Sequence, residues 1–374
     1  MKLEIDYQED QQMTGSLAND AIELLKRLIA IPSFSGEEGD TARQISLYLH
    51  ERKVTVCRKL NNIFCYNLHF DPSKPTILLN SHHDTVKPSP AYTRDPFEAV
   101  TSNGKLFGLG SNDAGGAVVS LIATFLHFFK REDLPFNLCL AITAEEENSG
   151  ERGLKYLIKE LQPVAFAIVG EPTNMQLAVA ERGSMVLDCK SFGRAGHAAR
   201  EEGDNAIYRA LKDIQWFSTF RFPVESAVMG PIKMTVTEVK AGIQHNIIPA
   251  ECSFTVDVRL TDAYTEKEML HIIQNHTFCE FTVRPGVLKP SCIDSFHPVV
   301  KTGLSIGRSA YISPTSSDQG WLEMPSVKMG PGESARSHTA DEFIYIDEIR
   351  EGVAIYCQLL QSLIPYLVNN PVLH

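Results

Sequence analysis

Three apolar runs in this chain end in residues that bind metal ions. "TILLNSHHDT" closes on His82, His83 and Asp84, "FNLCLAIT" runs into Glu145, Glu146 and Glu147, and "AFAIVG" is followed by Glu171. Each run is short, aliphatic and β-rich, and each is flanked by a stretch with helical periodicity. That alternation predicts a mostly parallel sheet with helices on both faces. In such a sheet the C-terminal strand ends line one crevice, where ligands bind. The polar punctuation falls at those ends. Asp113 in the Gly-rich "GLGSNDAGG" and His338 in the loop after "SVKMG" join the same edge. A phosphate cradle is excluded for the Gly-rich loop, because no Lys-Ser/Thr follows its glycines. A lone Glu triplet is an ordinary solvated turn. Five segments converging with carboxylates and imidazoles are different, since clustered carboxylates repel unless a cation or protons neutralise them. Two His with several Asp and Glu suit Zn²⁺, with Co²⁺ or Mn²⁺ as substitutes.

Helices are expected over Leu17–Ile31, ahead of Pro32, and over Gly36–Glu51, Ala117–Lys130, Glu151–Leu161 and Tyr345–Ile364. After Arg182 the rhythm changes. "SMVLDCKSF", "IKMTVTEVKA", "CSFTVDVRL" and "FCEFTVRPG" read as strands, with helices at "NAIYRALKDIQWFSTF" and "TEKEMLHIIQNH". The order β-α-β-β-α-β is the ferredoxin-like pattern. The expectation is an α/β catalytic domain over residues 1–181 and 289–374, with an inserted α+β lid over 182–288.

The 374 residues carry a net charge of −11. That excludes nucleic acid or an anionic membrane surface as the main partner, since both call for basic patches. No apolar run reaches the roughly 18 residues of a membrane span. The eight cysteines are scattered without a C-x-x-C pair, and several sit inside apolar runs. They read as reduced, buried thiols of a cytoplasmic protein. The acidic start, "MKLEIDYQED", has no apolar core and does not read as a signal peptide.

The stretches "SHHDTV", "GLGSNDAGG", "TAEEENSG", "VGEPT", "GRAGHAAR", "QHNIIPAEC" and "GPGESARSHTADEFI" together span nearly the whole chain. In that order the chain resembles the zinc-dependent exopeptidases and deacylases that include acetylornithine deacetylase, succinyl-diaminopimelate desuccinylase and the aminoacylases. The resemblance implies a centre of two Zn²⁺. His82, Asp113 and Glu171 would hold one, and Asp113, Glu147 and His338 the other, with Asp113 bridging. Asp84 would accept the second ring N–H of His82. Glu146 would be the general base, leaving Glu145 outside. His197 would stabilise the oxyanion, from the partner subunit of a homodimer built through the lid. A cis peptide is implied at Asp113–Ala114. Arg182, Asn246 and Arg259 match lid positions that bind substrate, and the loop of Gly330 and Gly332 would present backbone groups to it. Ser317 and Asp318 in "PTSSDQG" match a segment near the pocket. Arg259 can equally form a strand-end ion pair, and Asp318 can equally cap a helix.

The chain departs from its relatives in two places. Ala114, Gly115 and Gly116 follow the bridging Asp where a large residue is common. His83 stands between His82 and Asp84 where Thr or Ser is common, and its side chain is expected to point away from the metals. Among the other histidines, His50, His69, His127, His245, His271, His276 and His297 carry no assigned chemistry. The leading expectation is removal of an N-acetyl or N-succinyl group from ornithine or citrulline in arginine biosynthesis. A succinyl-diaminopimelate desuccinylase, a general aminoacylase or a dipeptidase are the alternatives. A catalytically silent binding member is a remote one.

Overall fold

The computed structural model describes residues 7–369. Met1–Asp6, the start of the stretch read as lacking a signal peptide, lie outside the described residues. The chain folds into two compact units. One comprises Met1–Val179, Cys292–Tyr311 and Ser317–His374; the other Ala180–Ser291 and Ile312–Ser316.

In the first unit, strand Thr76–His82 lies between Asn137–Thr143 and Phe166–Val169 and runs parallel to both. Ser326–Lys328 extends the parallel set beyond Phe166–Val169. On the other side Asn62–Tyr66 pairs antiparallel with Asn137–Thr143, and Cys57–Lys59 pairs antiparallel with Asn62–Tyr66. The sheet is therefore mixed but mostly parallel. Its central strands are buried on both faces, which is why they read as continuous apolar runs. Period-2 alternation still sorts them. Ile77, Leu79, Leu138, Leu140 and Ile142 pack with helices Tyr7–Ile29, Gly116–Phe128 and Ile346–Asn369. Leu78, Cys139, Ala141 and Ala167 face the other way, onto Leu154, Leu157 and Leu322.

Three helices differ from expectation, and one of them, Ile346–Asn369, runs on past Pro365 rather than ending at Ile364. The first helix of the chain begins at Tyr7 rather than Leu17, because Gln8, Glu9, Gln11, Gln12 and Met13 are good helix formers. The helix expected over Glu151–Leu161 shrinks to Leu154–Leu157 and a 3₁₀ turn, Ile158–Glu160. Gly153 adopts a non-helical φ of −82° and ψ of −135°, so nothing before it can join.

A small sheet of Val100–Ser102, Lys105–Phe107 and Phe343–Tyr345 was not anticipated. Its signal is Asn103-Gly104, both at positive φ, 51° and 74°, as a tight hairpin turn requires.

The second unit has an antiparallel sheet in the spatial order Lys233–Ala241, Glu251–Leu260, Gly183–Phe192, Glu280–Val283. Helices Ala206–Thr219 and Glu266–His276 complete the ferredoxin-like sequence of elements. Its core gathers Leu187, Ala210, Phe217, Phe254, Val256, Met269 and Ile273. Thr265 and Glu268 form a reciprocal capping box that fixes where the second helix starts.

Candidate metal centre

Strand Thr76–His82 ends at His82, which is 1 % exposed. His82 Nε2 lies 3.3 Å from Asp113 Oδ1 and 3.6 Å from Glu171 Oε1. His338 Nε2 lies 2.9 Å from Glu147 Oε2 and 3.7 Å from Asp113 Oδ2. Asp113 thus turns one carboxylate oxygen to each imidazole. In each set, His82 with Asp113 and Glu171, and Asp113 with Glu147 and His338, the donor atoms all lie within 4.8 Å of one another. A tetrahedral ion with ligands at about 2.0–2.2 Å places them roughly 3.3–3.5 Å apart. His82 stands close to that spacing from both Asp113, 3.3 Å, and Glu171, 3.6 Å. The His338–Glu147 pair is closed to hydrogen-bond length instead. The donor set fits two divalent ions that share Asp113.

Electrostatics point the same way. Burial pushes Glu171 up to about 8, with Asp113 adding to it against the pull of His82. Burial also raises Glu147, and raises Glu146 well above the ordinary carboxylate range, with Glu171, Glu147 and Asp318 adding to it. The hydrogen bond to Glu147 lifts His338 to about 9. Burial pulls His82 down, but Asp113 and Asp84 outweigh it and hold the imidazole well above its usual range. A cation held among these groups would offset the same crowding of buried carboxylates.

The supports are as specific as the donors. Asp84 sits beneath the Glu triplet, its Oδ1 accepting from Glu146 N at 3.0 Å and its Oδ2 from Glu147 N at 3.1 Å. Ser35 Oγ adds a third bond at 2.7 Å. His82 Nδ1 is nearer to the Asp84 main-chain oxygen, 3.0 Å, than to its carboxylate, 3.5 Å. So the His82 ring is oriented chiefly by the Asp84 backbone, while the Asp84 carboxylate holds the glutamates. Glu145 has φ of 56°, in the left-handed region, which ends the strand alternation and lets the next two N–H groups face the same carboxylate. The Glu145 side chain turns away and accepts from Arg152 N at 3.1 Å. Glu146 Oε2 stands 4.0 Å from His82 Nε2, beside the donor sets and in neither.

Glu342 is a residue the sequence reading missed. It is 2 % exposed, and its carboxylate accepts from Gly110 N at 3.0 Å, Asn112 N at 2.8 Å and Asp113 N at 2.9 Å. Its signal was the position next to the unrecognised strand Phe343–Tyr345. The Asp113–Ala114 peptide is cis. The small residues after Asp113 have a steric reason: a Cβ on Gly115 would overlap the Gly110 carbonyl, and one on Gly116 would overlap Ile344. His83 is turned away, its Nε2 on the Asn61 carbonyl at 3.0 Å and its Nδ1 on the Thr41 hydroxyl at 2.8 Å, and burial pulls its pKa down.

The remaining expected residues are placed as follows. Ser317, not Asp318, caps the turn Asp318–Trp321, because its hydroxyl is the one that reaches Gln319 N. Asp318 is buried and accepts from the Thr143 hydroxyl at 2.8 Å. The Gly330 and Gly332 carbonyls accept from Thr173, Asn174 and Met175 backbone N–H groups. In the second unit, exposed His197 pairs with Ile247, and Ala198 N reaches the Asn246 carbonyl at 3.0 Å, so His197 and Asn246 are neighbours. The Arg182 guanidinium donates to the Met229 carbonyl at 2.6 and 3.2 Å. Arg259 forks onto Asp257 at 2.8 and 3.0 Å, the ion-pair alternative.

Comparison with known proteins decides the family. The model for peptidase family M20/M25/M40 matches residues 78–362. The chain belongs to that family. It is 25 % identical to succinyl-diaminopimelate desuccinylase 2 of Ruegeria sp. (strain TM1040), covering 92 % of this chain and 95 % of that one. It is 26 % identical to acetylornithine deacetylase of Proteus mirabilis (strain HI4320), covering 88 % and 94 %. Among solved structures, an M20 family metallo-carboxypeptidase, Sso-CP2 from Sulfolobus solfataricus, superposes with a TM-score of 0.77 at 16 % identity, over 93 % of this chain and 99 % of that one. This M20 member is a metal-dependent hydrolase of amide bonds. No helix among the described residues is long and apolar enough to cross a membrane.

Proposed function

We propose that this chain removes an N-acyl group, acetyl or succinyl, from an amino acid, with N-acylornithine or N-acylcitrulline of arginine biosynthesis as the leading substrates. The observation that carries the chemistry is Asp113, offering one oxygen to the His82 set and one to the His338 set, with Glu146 alongside. His82, Asp113 and Glu171 would hold one Zn²⁺, and Asp113, Glu147 and His338 the second. When bound, two such ions lower the pKa of water and polarise the scissile carbonyl.

The protein's own groups do the rest. Glu146 takes a proton from the attacking water as its oxygen bonds to the acyl carbon. As the C–N bond breaks, Glu146 passes that proton to the amine nitrogen. His197, contributed by a partner subunit of a homodimer, would donate to the oxyanion. Sedimentation that finds a fully active monomer would remove His197 from that role. Asn246, its neighbour, would contact the same substrate group. Six of the eight cysteines are buried as expected, Cys57 and Cys292 are exposed instead, and all eight are free thiols, which supports a reducing, cytoplasmic setting.

Several of the relatives that match are named as succinyl-diaminopimelate desuccinylases, which keeps that substrate as the second reading. The test is amine release by the zinc-loaded protein from N-acetylornithine, N-acetylcitrulline, N-succinylornithine, N-succinylcitrulline, succinyl-diaminopimelate and a dipeptide. Preference for an ornithine or citrulline derivative is expected. Preference for the diaminopimelate derivative would replace the leading reading with the second.

A further inference from the structure

Beside the metal centre lies a cavity of about 200 Å³ lined by Val86, Lys87, Ser89, Tyr92, Leu109, His338 and Thr339. His338 belongs to both the second donor set and the cavity lining, which puts the cavity next to the centre. We propose that this cavity is the subsite for the terminal carboxylate of a dicarboxylic acyl group, with Lys87 as its counter-ion. The inference rests on the deacylase reading above and names its acyl class.

Size is the first argument. A water takes about 30 Å³, so the cavity has room for roughly six or seven groups of that size. An acetyl methyl would fill one. A succinyl chain adds a second methylene and a carboxylate.

The wall chemistry is the second argument. Val86 and Leu109 are apolar and suit methylenes. Lys87 is exposed and forms no ion pair among the described residues. Arg94, the next cation along the chain, is stacked 4.4 Å over the Phe107 ring. Asp341, the nearby acid, is already held by Thr93 N and Arg94 N at 2.9 and 3.1 Å. The Tyr92 hydroxyl is buried beside the Glu342 backbone N–H, and its own O–H has no acceptor among the described residues. Ser89 Oγ accepts from Ala91 N at 3.2 Å, which leaves its O–H free to donate. Thr339 is excluded, since its hydroxyl donates to the Arg336 carbonyl at 2.7 Å. One ammonium and two hydroxyl donors are what a carboxylate takes.

The third argument is that Arg182 and Arg259, the residues first expected to capture a carboxylate, are engaged by Met229 and Asp257. The α-carboxylate of the amino acid is a poorer occupant for this cavity. It sits two bonds from the scissile nitrogen and does not need depth or apolar walls.

The experiment compares wild type with Lys87→Met on N-succinyl and N-acetyl derivatives of the same amino acid. The expected result is a succinyl-to-acetyl ratio of kcat/KM that falls about 10–100-fold, chiefly through KM. A ratio that does not move overturns the proposal, and so does an equal loss on both substrates, which would put Lys87 on the amino-acid carboxylate. Calorimetry with succinate and butyrate separates this outcome from failure of the deacylase reading. If neither substrate turns over, the deacylase reading fails. Succinate binding tighter than butyrate in wild type, with that preference lost in Lys87→Met, would still establish the subsite. Equal binding of the two acids by wild type would overturn it.

Discussion

Replacing Glu146 by Gln removes one titratable oxygen and leaves the shape. Because Glu146 lies outside both donor sets, the variant should keep its metals and lose about 10²–10⁴-fold in kcat. Metal analysis beside turnover checks this, and loss of metal would make Glu146 a ligand. Proton bookkeeping at the same scale gives a second prediction. Glu171 is protonated below about 8 and His338 below about 9. At pH 7 both carry protons that a bound cation must displace. Zinc uptake should therefore release protons, and affinity should rise as pH rises towards 8–9. Calorimetry in two buffers of different ionisation enthalpy reads the protons directly. Uptake without release at pH 7 would contradict the assignment. Most of these residues were legible because strand ends punctuate the sequence with His, Asp and Glu. The task of Asp84 was only half legible. Its carboxylate serves two backbone N–H groups, and backbone partners leave no trace in residue identity.

The element that steadies the centre is the small sheet of Lys105–Phe107 and Phe343–Tyr345, which delivers Glu342 to the loop at Gly110–Asp113. Glu342→Ala leaves three buried N–H groups without their acceptor. It should destabilise the metal-free protein by at least about 1–3 kcal/mol and weaken zinc binding roughly 10–100-fold. Thermal unfolding with and without zinc measures both. An unchanged affinity would make Glu342 a purely structural residue. This element was hidden because its strands are too short for periodicity, and only Asn103-Gly104 announced a turn. The helix at Leu154–Leu157 fell short for a related reason, since Gly153 interrupts a pattern that side chains alone suggest is helical.

Across the whole molecule, the two units read from sequence to very different depths. In the first, continuous apolar strands and interleaved helices dictate a buried parallel sheet, and the sheet dictates where the donors meet. In the second, alternation gives the ferredoxin-like order of elements, but not which polar side chains remain free. Arg182 and Arg259 looked available and are bonded within their own unit, whereas Lys87, which no motif singled out, forms no ion pair among the described residues. The account stands on one claim, that Asp113 joins two metal ions held by His82, Glu171, Glu147 and His338. Anomalous diffraction from a zinc-loaded crystal tests it most directly. Two peaks about 3.5–4 Å apart, flanking Asp113, are predicted. A single peak, or two peaks that do not share Asp113, would contradict it.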